Sequence, residues 1–316
     1  MRVLLSTYGS RGDVEPMAAL GVALRSLGAE VVVSAPADEE FQELLDRAGV
    51  ALFPAFSPVR AWVSAALSSP VPVDLPRRAA EVMAAQFDAI SAAADGCDLV
   101  LAGGLFSSVI AARAVAEKRN LHYIHAAYCP MMLPSEHHRP HAYRGHPPPP
   151  GLTDNRALWE LDIHTMQALF GGGANALRAS VGLEPVDNVR DHSFTDRPWL
   201  AADPLLSPWL PTALRDVVQT GAWILPDHRP LSAELEAFLD AGPPPVYVGF
   251  GSMPMQAARD AADHALQAAR ALGRRAILLQ GWAQAGPVDD QPDCFVVGEV
   301  NQQALFRRVA AVVHHG

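Results

Sequence analysis

The chain has 316 residues, half of them hydrophobic, enough for two domains of ordinary size with a core each. Its formal net charge of -10, with no run of Lys or Arg, argues against a nucleic-acid partner. Three scattered cysteines (Cys97, Cys129, Cys294) make neither a zinc pattern nor a disulfide framework, and no apolar run reaches the ~18 residues of a membrane span or forms a signal segment, so a cytoplasmic protein is expected.

Residues 2–7 read as a buried strand and 14–27 as a helix, with Met17, Leu20, Leu24 and Leu27 on one face and Gly28 at its stop. A strand over 30–34, a helix over 39–48 closed by Gly49, and an extended 50–53 follow. The Pro/Ser stretch 54–76 reads as loop. A helix over 77–94 sets Val82, Met83, Gln86 and Ile90 on one side, and then come a strand over 98–102, a helix over 105–117 and a strand over 121–127. This βαβα order implies a parallel sheet with helices on both faces. From 130 to 152 the pattern breaks, and Pro147–Pro150 rule out a core element there. Helix resumes over 156–169, is expected to break at Gly171-Gly172-Gly173, and restarts over 174–181. Prolines crowd residues 198–245 and mark an interdomain crossing. A second α/β unit begins at 246, with a helix over 256–272, strands over 275–279 and 294–297, a helix over 301–308 and a strand over 310–315. The expected division is 1–205, a crossing over 206–245, and 246–316. The sequence stops at His314-His315-Gly316 after a buried-type strand with no helix to cover it, so the second domain is expected to be incomplete.

The chemistry-bearing residues cluster after predicted strands. The first strand runs into Tyr8-Gly9-Ser10-Arg11-Gly12-Asp13. Asp13 there is a helix N-cap, a proton acceptor, or both, and Arg11 is a solvated cation or a phosphate contact. Gly249-Phe250-Gly251-Ser252 repeats the strand-loop-helix start, where glycine lets backbone approach a diphosphate. Trp282 is a core residue or stacks on a flat ring, and Gly298-Glu299-Val300-Asn301 either meets a base edge or is a turn capped by Asn301. The adjacent His314 and His315 are packed or fraying strand-end residues, or one of them, since they point to opposite faces, is a donor to phosphate oxygen at the ligand edge. The histidine-rich 137–146 fits no standard metal site and reads as a mobile solvated loop, with acceptor contact as the second reading. Asp38 and Glu39 could mimic the ribose-binding acid of a dinucleotide oxidoreductase, but no Gly-x-Gly-x-x-Gly follows either opening strand.

Together these segments resemble the GT-B glycosyltransferases that act on glycopeptide antibiotic aglycones, the vancomycin and chloroeremomycin group. The resemblance is carried by Met1-Arg2-Val3-Leu4-Leu5-Ser6 with Gly9-Ser10-Arg11-Gly12-Asp13-Val14-Glu15-Pro16, by Val115-Ala116-Glu117-Lys118, and by Trp199-Leu200-Ala201-Ala202-Asp203-Pro204. The run from Gln219-Thr220-Gly221-Ala222-Trp223 to Phe250-Gly251-Ser252, then Gly281-Trp282, Gly298-Glu299-Val300-Asn301 and Val312-Val313-His314-His315-Gly316, completes it. It implies an α/β fold of two Rossmann-like domains, the first for the acceptor and the second, incomplete, for the nucleotide sugar. It implies inverting transfer from a dTDP- or UDP-sugar to a hydroxyl, with no metal and no cofactor besides that co-substrate. Asp13 matches the general base, with Ser10 beside it; Arg11, Gly12, Ser252, Trp282, Glu299, Val300, Asn301 and His315 fall on the nucleotide-sugar side. Acceptor contact is assigned to Tyr8, His125, Tyr128 and Met131. The alternatives are an acceptor-binding fragment without turnover and the oxidoreductase.

Overall fold

The computed structural model describes residues 1–61, 63, 74–143, 145–252, 256–282 and 291–314. These fall into two compact units, the first reaching to Leu225 and the second made of the residues from Pro226 onward together with Val63.

The first unit is a seven-stranded sheet in the order β3-β2-β1-β4-β5-β6-β7, with every pairing parallel. The alternation runs β1 (Arg2–Tyr8), α1 (Arg11–Ser26), β2 (Glu30–Ala35), α2 (Glu39–Ala48), β3 (Ala51–Pro54), α3 (Leu75–Ala93), β4 (Leu99–Gly104), α4 (Phe106–Arg119) and β5 (His122–Ala127). β1 is buried from Val3 to Tyr8, as a central strand covered on both faces must be. The chain walks outward from β1 to β3 and then returns to β4 on the other side of β1. That reversal makes the β1/β4 carboxyl edge the topological switch point, where open α/β sheets bind ligands.

Four expectations are corrected in this unit. The first helix begins at Arg11, three residues before the expected start, so Ser10 is its N-cap and Asp13 lies in its first turn. The triple glycine does not break the helix that holds it. α5 (Asn155–Met166) passes through a π-helical segment (Gln167–Gly171) into α6 (Gly172–Ser180). A Cβ on Gly173 would lie 2.9 Å from the Ala80 Cβ, so the glycine allows α6 to lie close against α3. The segment 130–152 does contribute to the core, because Leu133 is fully buried there. Nor is its histidine-rich part simply solvated. The His138 ring meets Trp159 and Trp209 edge-on, and the Trp159 indole N–H donates to the His138 carbonyl at 2.9 Å.

The expected crossing over 206–245 is divided between the units. Two short strands, β6 (Trp199–Leu200) and β7 (Val218–Gln219), extend the first sheet into it. α7 (Val189–Phe194) precedes them, and α8 (Ala233–Asp240) packs Leu235 and Leu239 into the second unit's core beside Tyr247 and Ile277. The second unit then forms β8 (Val246–Val248), α9 (Gln256–Ala271), β9 (Ala276–Leu279), β10 (Cys294–Val297), α10 (Gln302–Leu305) and β11 (Ala311–Val313). Its sheet is parallel, in the order β10-β9-β8-β11. The helix expected over 301–308 is one short α-turn followed by a 3-10 turn over Phe306–Arg308.

Candidate active site

At the switch point, the chain leaves β1 through Gly9 and enters α1 under the Ser10 cap. The Asp13 carboxylate turns back and accepts the Ser10 backbone N–H at 2.8 Å. One reading of the sequence made Asp13 the cap itself; here it is the acid that reciprocates the cap residue's N–H, in the position of a capping-box acid. Burial pushes its carboxyl up to about 6, against the downward pull of Ser10's backbone N–H and hydroxyl. A carboxylate with that affinity ionises near neutrality and can take and return a proton.

The neighbours define what this edge offers. The Tyr128 hydroxyl, one residue past β5, donates to the Asp13 backbone carbonyl at 3.2 Å, and Trp223 meets the Tyr128 ring edge-on at 6.2 Å. Burial pushes the Tyr128 phenol well above its usual range, with the nearby Asp13 charge adding to the effect, so it stays a donor. Arg11 pairs with Glu15 one turn along the helix at 2.7 Å. Gly12 and Met131 are exposed. Tyr8 and His125 present no open face. The Tyr8 hydroxyl donates to the Ser57 carbonyl at 2.9 Å, and the buried His125 ring stacks on Phe194 at 4.7 Å. Burial lowers the His125 imidazole to about 3, so it is neutral.

Gly103 and Gly104, at the end of β4, escaped the sequence reading. Gly104 has φ +85°, and a Cβ there would lie 2.7 Å from the Tyr8 carbonyl. On Gly103 a Cβ would come within 3.0 Å of the Tyr128 hydroxyl. The glycine pair closing a predicted strand is the signal that could have exposed them.

In the second unit, the candidate residues follow adjacent strands of one sheet edge. Ser252 follows β8, Trp282 follows β9, and Glu299, Val300 and Asn301 follow β10. The first two loops are tied together, because the Trp282 backbone N–H donates to the Gly251 carbonyl at 3.0 Å. Asn301 is 5% exposed and caps α10 through the Ala304 N–H. Its amide also donates to the Asp227 and Arg229 carbonyls at 3.0 and 2.7 Å. Its side chain is therefore committed to structure. Glu299 pairs with Arg229 at 2.9 Å, and both line an open groove with Leu231, Phe295 and Val300. His315 lies outside the described residues. Among the described residues, no three His, Cys, Asp or Glu side chains are grouped to hold a metal, and no helix is long and apolar enough to cross a membrane.

Two Rossmann-like units, each built on a parallel sheet with candidate ligand loops at its carboxyl edge, are the architecture of GT-B glycosyltransferases. Solved structures show the same fold. A glycotransferase of kitacinnamycin superposes with a TM-score of 0.65 at 16% identity, over 100% of this chain and 75% of that one. SsfS6 from Streptomyces sp. SF2575, complexed with thymidine diphosphate, gives 0.60 at 18% identity, over 100% and 76%. Sequence comparison reaches further. The chain is 51% identical to glycosyltransferase GtfE of Amycolatopsis orientalis, spanning all of this chain and 76% of that relative. It is 49% identical to the vancomycin aglycone glucosyltransferase of the same organism, with the same shares, and 47% identical to its dTDP-epi-vancosaminyltransferase, over 100% and 74%. No family model matches the chain. The chain belongs to the glycosyltransferase family of these Amycolatopsis glycopeptide enzymes.

Proposed function

We propose that the protein is an inverting glycosyltransferase that moves a sugar from a dTDP- or UDP-sugar to a hydroxyl of a glycopeptide-type aglycone. The observation that carries this reading is the Asp13 carboxylate, seated at the switch point with its carboxyl raised to about 6. In the proposed step the acceptor O–H gives its proton to Asp13 while its oxygen attacks the anomeric carbon. The bond from that carbon to the diphosphate oxygen breaks, and the nucleoside diphosphate leaves with the electron pair. Ser10 holds the base through its backbone N–H. Tyr128 and Met131 lie on the acceptor side, and Tyr8 and His125, being buried, shape that edge from beneath. Arg11 and Gly12 at the start of α1, Ser252, Trp282, the Glu299-Val300-Asn301 backbone and His315 serve the nucleotide sugar. Donated backbone N–H groups would offset the charge that builds on the leaving diphosphate. The names of the relatives support both substrate classes, and the thymidine diphosphate complex of SsfS6 supports the donor.

A transfer assay with dTDP- and UDP-glucose and a glycopeptide aglycone tests the proposal. Turnover is expected, and Asp13→Asn should lower it by about 100- to 10,000-fold with little change in aglycone affinity. Full turnover by Asp13→Asn would remove Asp13 from the role. Thermal stabilisation by NAD, but by neither dTDP nor UDP, would overturn the donor class.

A further inference from the structure

We propose that Gly9 is a positioning residue for Asp13, because the absence of a side chain at Gly9 creates the space in which the Asp13 carboxylate is seated. The inference builds on the reading of Asp13 as the base, but its geometry stands apart from that reading. A Cβ on Gly9 would lie 2.0 Å from Asp13 Oδ2 and 2.5 Å from its Cγ, far inside van der Waals contact. Gly9 is not among the glycines with positive φ, so its backbone conformation does not demand glycine. The close approach of the carboxylate does.

Relieving the overlap by moving the start of α1 would strain the hydrogen bonds that hold it. The start of α1 is held to the Ser10 carbonyl by the N–H groups of Asp13 and Val14, at 2.9 and 3.2 Å. From the other side, Tyr128 holds the Asp13 carbonyl at 3.2 Å. With the Asp13 backbone fixed at both points, an added methyl must displace the carboxylate itself. It would then lose the Ser10 N–H and swing out of its buried seat.

Gly9→Ala in the full chain tests this with three readouts. In a carbon-13 titration of the Asp13 carboxyl, the midpoint should fall from about 6 toward the ordinary aspartate range, because burial is the main cause of its elevation. Turnover should fall by about 100-fold with KM nearly unchanged, as a misplaced group acts on the chemical step. The melting temperature should drop in Gly9→Ala and largely recover in the Gly9→Ala/Asp13→Ala double variant, where the carboxylate is gone and only the 3.1 Å approach of the two Cβ atoms remains. If Gly9→Ala alone does not fold, folding of the double variant supports the same coupling. An unchanged titration midpoint, or an equal loss of melting temperature with and without the Asp13 carboxylate, would overturn the inference. A shifted midpoint and a rescued melting temperature with unaltered turnover would uphold the seat while refuting Asp13 as the base.

Discussion

Asp13 sets function against stability at a single residue. Its folded-state pKa of about 6 lies above the ordinary 3.8, so the fold favours the protonated acid. The sign follows from linkage. The stability it contributes is fully present below 3.8 and is lost as pH rises through about 6. Catalysis as a base needs the opposite form, so kcat/KM should rise with pH through an acid limb near 6. Asp13→Asn removes the buried charge and keeps a hydrogen-bond acceptor. It should therefore melt at or above the wild-type temperature at pH 7 while losing turnover, which calorimetry beside the transfer assay checks. A clear drop in melting temperature would show that the ionised carboxylate stabilises the fold.

Among elements, the first unit's helices are joined by an ionic cluster centred on Glu117 of α4. Its carboxylate meets Arg178 of α6 at 2.8 Å and His192 of α7 at 2.5 Å, and Arg113 approaches at 3.1 Å from the same helix. Burial raises its pKa, but the hydrogen bonds from His192 and Arg178 outweigh that, and the carboxyl drops to about 2. The folded value is below the ordinary 4.5, so this contribution is present above 4.5 and is lost as pH falls toward 2. Arg178 is almost completely buried, and Glu117→Ala would leave its guanidinium without that carboxylate. The expected cost is on the order of 3 kcal/mol, read by urea denaturation at pH 7, with most of the wild-type acid sensitivity in that window gone. A variant as stable as wild type would show the cluster to be energetically idle.

For the whole molecule, the two units divide the proposed work. The acceptor base belongs to the first, and the loops after β8, β9 and β10 belong to the second. Hydrogen exchange in the presence of dTDP should protect the amides of 249–252, 280–282 and 298–301. A glycopeptide aglycone should protect the region after β5, around 128–133. Protection by dTDP confined to the first unit would contradict the division.

The sequence by itself determined the alternation of strands and helices, the parallel sheets, the glycopeptide glycosyltransferase family and the position of the loops that follow the strands. These are local signals, since apolar periodicity, helix stops and glycine-rich strand ends are written within a few residues of the feature they specify. What only the tertiary structure decided depends on residues distant in sequence. β6 and β7, two residues each, exist because β5 offers an edge, and no two-residue window could announce them. The triple glycine looked like a helix break because its value lies in the approach of Ala80 on another helix. His125 and Tyr8 are assigned to acceptor contact from the sequence, yet the side chains packed around them close both off. Asp13 was visible as an acid at a strand end, but its burial, its seat over Gly9 and its shifted proton affinity arise only once β1, β4 and β5 come together, because desolvation depends on the surroundings rather than on the residue.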